Sequence, residues 1–277
     1  MRLTRTLAKR PKAVLLTASM LGWSLNLFRI RGIQLSVHAS FILMLAYVAW
    51  EGWTSAGWLG AVWSVAYMLT LFTCVVLHEL GHATAARYFG VKVPRILLLP
   101  IGGMAEMDNI PRRSREEIII AVAGPAVNYL IIGLLMIVVR FPEDWEPLEF
   151  SLGYMELGRH LIVVNIIMGV FNLLPAFPMD GGRVFRALLA IKLPYLRATQ
   201  IAVAAGKVVA LAGASYFIYQ GHYLGGILFI FIIYAGETEL LAVARIERAA
   251  QHWRDQQARA FPPPTLRPDD NEPRGIF

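Results

Sequence analysis

A single cysteine, Cys74, in 277 residues excludes an internal disulfide. Charge is also scarce. Charged residues are 16% of the chain against 57% hydrophobic, a balance that excludes an ordinary water-soluble globular domain. No internal repeat is evident, so the inverted-repeat plan of many secondary transporters has no support. The net charge of +7 does not come from a patch of interleaved basic and aromatic residues, and a nucleic-acid interface is therefore not expected.

What the chain has instead is apolar runs long enough to cross a hydrocarbon core of about 30 Å, which takes about 20 helical residues. Six are found, at approximately 35–53, 60–86, 116–140, 157–175, 199–219 and 223–243. Another run, 13–24, follows the basic start Arg2, Arg5, Lys9, Arg10 and Lys12 and is too short to span. It reads as an interfacial segment, or as an upstream extension if translation starts at Met20. The expected layout is a basic N-terminal segment with an interfacial or β region (1–34), a six-span core (35–243) and a cytosolic tail (244–277). From about 247 the tail is expected to be disordered, ending in the proline-rich "FPPPTLRPDDNEPRG".

Basic residues sort by loop. Lys92, Arg95, Arg112, Arg113 and Arg115 lie between the second and third runs, Arg183, Arg186, Lys192 and Arg197 between the fourth and fifth, and Arg245, Arg248, Arg254 and Arg259 after the sixth. The loop between the third and fourth carries Glu143, Asp144, Glu146 and Glu149 instead. The positive-inside rule then predicts a multi-pass protein of the cell membrane with both termini in the cytosol.

Into the second run is set "VVLHELGHATAAR". His78 and His82, at i and i+4, project from one helical face and can reach one ion, with Glu79 about 100° round the helix. In such an H-E-x-x-H arrangement the imidazoles bind zinc and the glutamate takes a proton from water that the metal has made acidic. Each charged group near a bilayer centre costs on the order of 2.5–3.5 kcal/mol, so these residues need compensation that metal and water supply. Two histidines leave the site one ligand short. Asp180 is the favoured third: the fourth run closes with "NLLPAFPMDGGRV", which brings it to the depth of the histidines. Pro175 and Pro178 stop the helix there, and Gly181 and Gly182 allow a sharp turn. Glu237, near the inner end of the sixth run, competes with it, and His160 lies at the outer end of the fourth. Asn172 can donate to a developing oxyanion, although an interhelical hydrogen bond is the commoner use. Asn128 and Asn165 read as structural.

With both motifs in view, the chain resembles the site-2 protease family of intramembrane zinc metalloproteases, of the compact six-span prokaryotic type. The resemblance runs over roughly 20–243 and rests on "RGIQLSVH", "HELGH", "LLLPIGGMAEM", "AGPAVN" and "NLLPAFPMDGGRV". It implies one Zn2+ per chain held by His78, His82 and Asp180, Glu79 as catalytic base, and Asn172 assisting at the substrate. The partners it implies are the lipid bilayer and a membrane protein substrate with a transmembrane helix. No loop is long enough for a PDZ domain, and the 34 residues after 243 are too few for a pair of CBS modules. The segment "VPRILLLPIGGMAEM" reads as a hairpin, and the resemblance joins it to "FRIRGIQLSV" in a sheet whose edge either pairs with unwound substrate or seals the cytosolic side. The expected fold is an all-α polytopic membrane protein with about six transmembrane helices and a small membrane-associated β-sheet on the cytosolic side. The rival function is a non-proteolytic metal-binding membrane protein, a transporter or a helix-holding pseudoprotease.

Overall fold

Helices are the natural state of apolar runs in lipid, because each bonds its own backbone. A computed structural model describes residues 23–108, 111–139 and 154–260. In chain order it has β1 (Ser24–Ile30), β2 (Ile33–His38), α1 (Ala39–Tyr88), β3 (Arg95–Leu99), β4 (Gly102–Glu106), α2 (Ser114–Val138), α3 (Tyr154–Asn172), α4 (Asp180–Leu189), α5 (Tyr195–Tyr219) and α6 (Tyr223–Ala260). Four of the helices, α1, α2, α5 and α6, are long and apolar enough to cross a membrane, and α3 contributes the shorter apolar stretch Leu157–Asn172. The protein is thus an integral membrane protein, mostly helical.

Helix α1 is not straight. Ala56 (φ −141°, ψ 24°) and Gly57 (φ 64°, ψ −152°) leave helical geometry, the second in a region that favours glycine. The rings of Phe41 and Phe72 lie 4.5 Å apart, whereas a continuous helix would separate them by on the order of 45 Å. The chain therefore folds back on itself. At the bend Gly52 and Gly60 face each other so closely that a Cβ on either would strike the carbonyl oxygen of the other. The two legs, 39–55 and 58–88, correspond to the first two expected runs, with one correction. Residues 35–38 belong to β2 and not to a span, because a short buried strand and the start of a buried helix read alike as an apolar run.

The small sheet expected beside the helices is present. It has four strands in the order β1-β2-β3-β4. Strands β1 and β2 pair antiparallel, β2 and β3 parallel, and β3 and β4 antiparallel. Positive φ at Arg31 (48°) and Gly32 (86°) makes the tight β1-β2 turn. Arg95 and Glu106, opposite in register, form an ion pair of 2.6 Å. The buried side chains Ile33, Leu35, Val37, Ile96 and Leu98 pack with Phe41, Phe72 and Ile120, so the sheet is fixed to α1 and α2. The expected hairpin and its junction with the preceding segment are both present.

Helix α6 continues well past 243 to Ala260, where disorder was expected from about 247. Its extension, "ARIERAAQHWRDQQARA", is rich in Ala, Arg, Gln and Glu, which favour helix without any core to pack on. The expectations for 13–22, for the acidic loop around 143–149 and for the proline-rich end from 261 lie outside the described residues.

The Gly52–Gly60 contact sets the fold-back of α1. Gly60→Val is expected to destabilise the detergent-solubilised protein by about 1–3 kcal/mol in thermal unfolding. Gly133→Ala, where nothing lies within 4 Å of the added carbon, should leave stability unchanged or raise it.

Candidate metal centre

His78 and His82 lie one turn apart on the second leg of α1, each 4% exposed. Their rings are 4.7 Å apart and nearly perpendicular, and their Nε2 atoms are 3.1 Å apart. Asp180, the first residue of α4, places Oδ2 3.4 Å from His78 Nε2 and 3.1 Å from His82 Nε2. One ligand atom from each of the three residues thus falls within 4.8 Å of the others.

Which form of each imidazole faces the centre follows from its other nitrogen. His82 Nδ1 is 2.7 Å from the carbonyl oxygen of Ile120, a group that can only accept. The proton therefore sits on Nδ1, and Nε2 of the neutral ring carries a lone pair. His78 is set by a longer chain. Asn165 donates its amide to the Leu161 carbonyl oxygen (2.8 Å), which turns its oxygen towards the Asn128 amide (3.0 Å). The Asn128 oxygen then accepts from His78 Nδ1 at 2.5 Å. Both Nε2 atoms consequently point lone pairs at the Asp180 carboxylate. Asp180 Oδ2 itself is buried and has no hydrogen-bond partner among the described residues. A cation between them would reconcile these three electron-pair donors, and two imidazoles with one carboxylate are a zinc-type donor set.

The local sequence explains each approach. On α2, Ile120, Gly124 and Asn128 recur every four residues along one stripe. A Cβ at Gly124 would meet His78 Nε2 at 2.8 Å and His82 Nε2 more closely still, so this position admits only glycine. Between α3 and α4 the chain runs through Pro175 and a cis Phe177-Pro178 peptide. The bonds from Ala176 N to Leu174 O (2.7 Å) and from Met179 N to Ala176 O (2.9 Å) satisfy this irregular backbone. Beyond it, a side chain at Gly181 would strike Leu173 O, and one at Gly182 the Ala176 backbone.

Glu79 lies on the neighbouring face of α1 and leans on the sheet. Its Oε2 accepts from the backbone N–H of Ala105 in β4 at 3.1 Å, and a Cβ at Gly103 would come within 2.7 Å of its Cγ. Asn172 is half-buried at the end of α3, with its amide donating to Met168 O of its own helix at 3.0 Å. The structure thus gathers His78, His82 and Asp180, sets Glu79 between α1 and β4, and leaves Asn172 bonded within α3. Glu237 is paired with Lys207, and His160 stands edge-on to Tyr67 at 5.8 Å, so neither competing ligand joins the group. Sequence reasoning missed Asn128 and Asn165 as holders of His78. The signal was present in "AGPAVN", where a glycine and an asparagine four residues apart share a stripe of an otherwise apolar helix.

A model of peptidase family M50 matches residues 66–145 and 149–213. Zinc metalloprotease MJ0392 of Methanocaldococcus jannaschii is 38% identical over 219 residues, covering 79% of this chain and 61% of that protein. Putative zinc metalloprotease Rip3 of Mycobacterium tuberculosis is 33% identical over 228 residues, covering 76% of this chain and 56% of that protein. The chain therefore spans about three-fifths of the length of these relatives. The solved site-2 protease from Methanocaldococcus jannaschii superposes with a TM-score of 0.55 at 37% identity, covering 79% of this chain and 95% of that one.

If Asp180 completes the centre, Asp180→Asn should lose bound divalent metal and Glu237→Gln should keep it, as read by metal analysis of the purified proteins. Equal metal content in the two variants would refute the ligand set.

Proposed function

The chain belongs to peptidase family M50, and from that premise we propose that it is a zinc-dependent endopeptidase that cuts a membrane protein within or beside a transmembrane helix. The observation that carries this reading is the convergence of two imidazole lone pairs and one buried carboxylate oxygen. A zinc ion held there would supply Lewis acidity towards a scissile carbonyl and would make a bound water acidic, with a pKa of about 7.

His78, His82 and Asp180 would hold the metal, a three-residue donor set of the size found in catalytic rather than structural zinc sites. Glu79 serves as the base and then passes the proton to the leaving amine. Its hydrogen bond from Ala105 N keeps it against the sheet. Asn172 assists at the substrate carbonyl, which requires its amide to exchange Met168 O for the substrate. A helix hides its carbonyls in its own hydrogen bonds, so the substrate unwinds before it is cut. Among the described residues strand β4 ends the sheet order and lies beside Glu79, which supports its outer edge as the place where the unwound segment adds as a strand, with Ala105 N exchanging Glu79 for the substrate.

The two legs of α1 together with α2, α3, α5 and α6 make six crossings in this reading. The Lys and Arg distribution supports a cytosolic side for both termini and the sheet.

Two measurements test the proposal. Glu79→Gln should abolish cleavage of a model transmembrane substrate while retaining about one zinc per chain; zinc loss in that variant, or undiminished cleavage, would refute the assigned role. In a Cys74→Ser background, a cysteine at position 145 should be labelled from outside the cell and cysteines in 90–115 and 176–198 from the cytosol. The opposite pattern would overturn the orientation.

A further inference from the structure

A second polar cluster lies close to the metal centre and takes no part in the chemistry above. Arg186 of α4 is 1% exposed, as is Glu117 of α2. The Arg186 Nε and Nη2 donate to Glu117 Oε1 at 2.8 and 2.5 Å, and Nη1 donates to Glu239 Oε1 of α6 at 2.6 Å. Its guanidinium lies over the Phe177 ring at 4.8 Å and the Tyr195 ring at 4.9 Å. Burial works against this charge, but Glu117, Tyr195 and Glu239 outweigh it and raise the Arg186 pKa. Stability alone does not account for such a cluster, because apolar residues of similar volume commonly serve a buried ion pair's place as well or better.

Its connections point to a different use. Arg186 reaches back to Phe177, three residues before Asp180, while sitting six residues after it, so the contact brackets the ligand from both sides. Glu117 stands one turn before Ile120, whose carbonyl fixes His82, on the same stripe of α2 that carries Gly124 and Asn128. Helix α4 has ten residues, too few to hold a position by itself. How α4 docks on α2 therefore helps to decide where Asp180 points, together with the turn against whose backbone Gly181 and Gly182 pack.

We propose that Arg186 is a positioning residue of the metal centre: through Glu117 and Phe177 it docks α4 in the one register that sets the Asp180 carboxylate opposite the Nε2 atoms of His78 and His82. This rests on the zinc reading above. Lysine keeps the charge of Arg186 but cannot give two bonds to Glu117 and one to Glu239 with a fixed plane against two rings.

The test uses the full chain in detergent, with zinc affinity read by chelator competition and folding read by thermal unfolding. Arg186→Lys is expected to weaken zinc binding by about 10-fold, the low end of what the loss of a direct outer partner of a metal ligand costs because Arg186 acts at one remove, with kcat rising again as free zinc is raised and KM little changed. Glu117→Gln, which keeps the side chain's shape, should show the same direction and serves where Arg186→Lys does not accumulate. Glu239→Gln leaves the Arg186–Glu117 bonds in place and should have a smaller effect. Zinc affinity equal to wild type in folded Arg186→Lys or Glu117→Gln would overturn the inference, as would lost activity that added zinc does not restore. Wild-type protein that binds no zinc would instead sink the function proposed above, so the two failures are distinguishable.

Discussion

Two imidazole lone pairs and a carboxylate oxygen are held face to face in an interior that offers no other donor to Asp180 Oδ2 among the described residues. Without a cation this is a repulsive arrangement, and much of the surrounding structure consists of what keeps it in place. The carbonyl of Ile120 and the Asn165–Asn128 pair fix the tautomers. Gly124 lets α2 come close enough to do so, and the broken segment before α4 brings Asp180 across from another helix. None of these features is explained by packing apolar surface, since lipid tails would solvate that surface equally well.

How much of this the sequence made legible depended on the range of the interaction. The histidine pair is a local relation, four residues on one helix, and helical geometry alone placed it on one face. Asp180 lies 98 residues beyond His82; depth and elimination favour it over Glu237, and the family resemblance agrees. The structure separates the two, since Glu237 has Lys207. Asn128 and Asn165 were passed over because an asparagine in an apolar helix has an ordinary use as an interhelical bond. That use is what they have here, with a metal ligand at the end of the chain.

Fold errors arose where one local signal fits two structures. Leu35 and Val37 extend an apolar run without revealing that it starts as a strand, because the neighbour that makes it one, β3, comes about 60 residues later. The fold-back of α1 was visible as a gap between two runs, but its tightness comes from Gly52 meeting Gly60. The helical extension of α6 was misjudged for the opposite reason. A polar, charged tail fits disorder, yet alanine, arginine and glutamine also support a helix that is mostly exposed and is tied to the rest by the Arg112–Glu247 ion pair.

Helix α2 shows why a membrane protein hides its machinery from the usual reading. In water, an apolar stripe on a polar helix marks the core. Here both faces are apolar, and Ile119, Leu130, Leu134 and Ile137 are exposed on the side away from the bundle. The inward stripe is Glu117, Ile120, Ala121, Gly124, Pro125, Asn128 and Ile132, buried at helical spacing. Its informative members are the polar and the smallest ones. Gly124 and Asn128 meet the imidazoles directly, Ile120 does so through its carbonyl, and Glu117 grips the helix that carries Asp180. In lipid, then, the interior of a helix is marked by where polarity and absent side chains recur with period 3.6, the inverse of the aqueous rule, and a single stripe of α2 read that way leads to all three ligands.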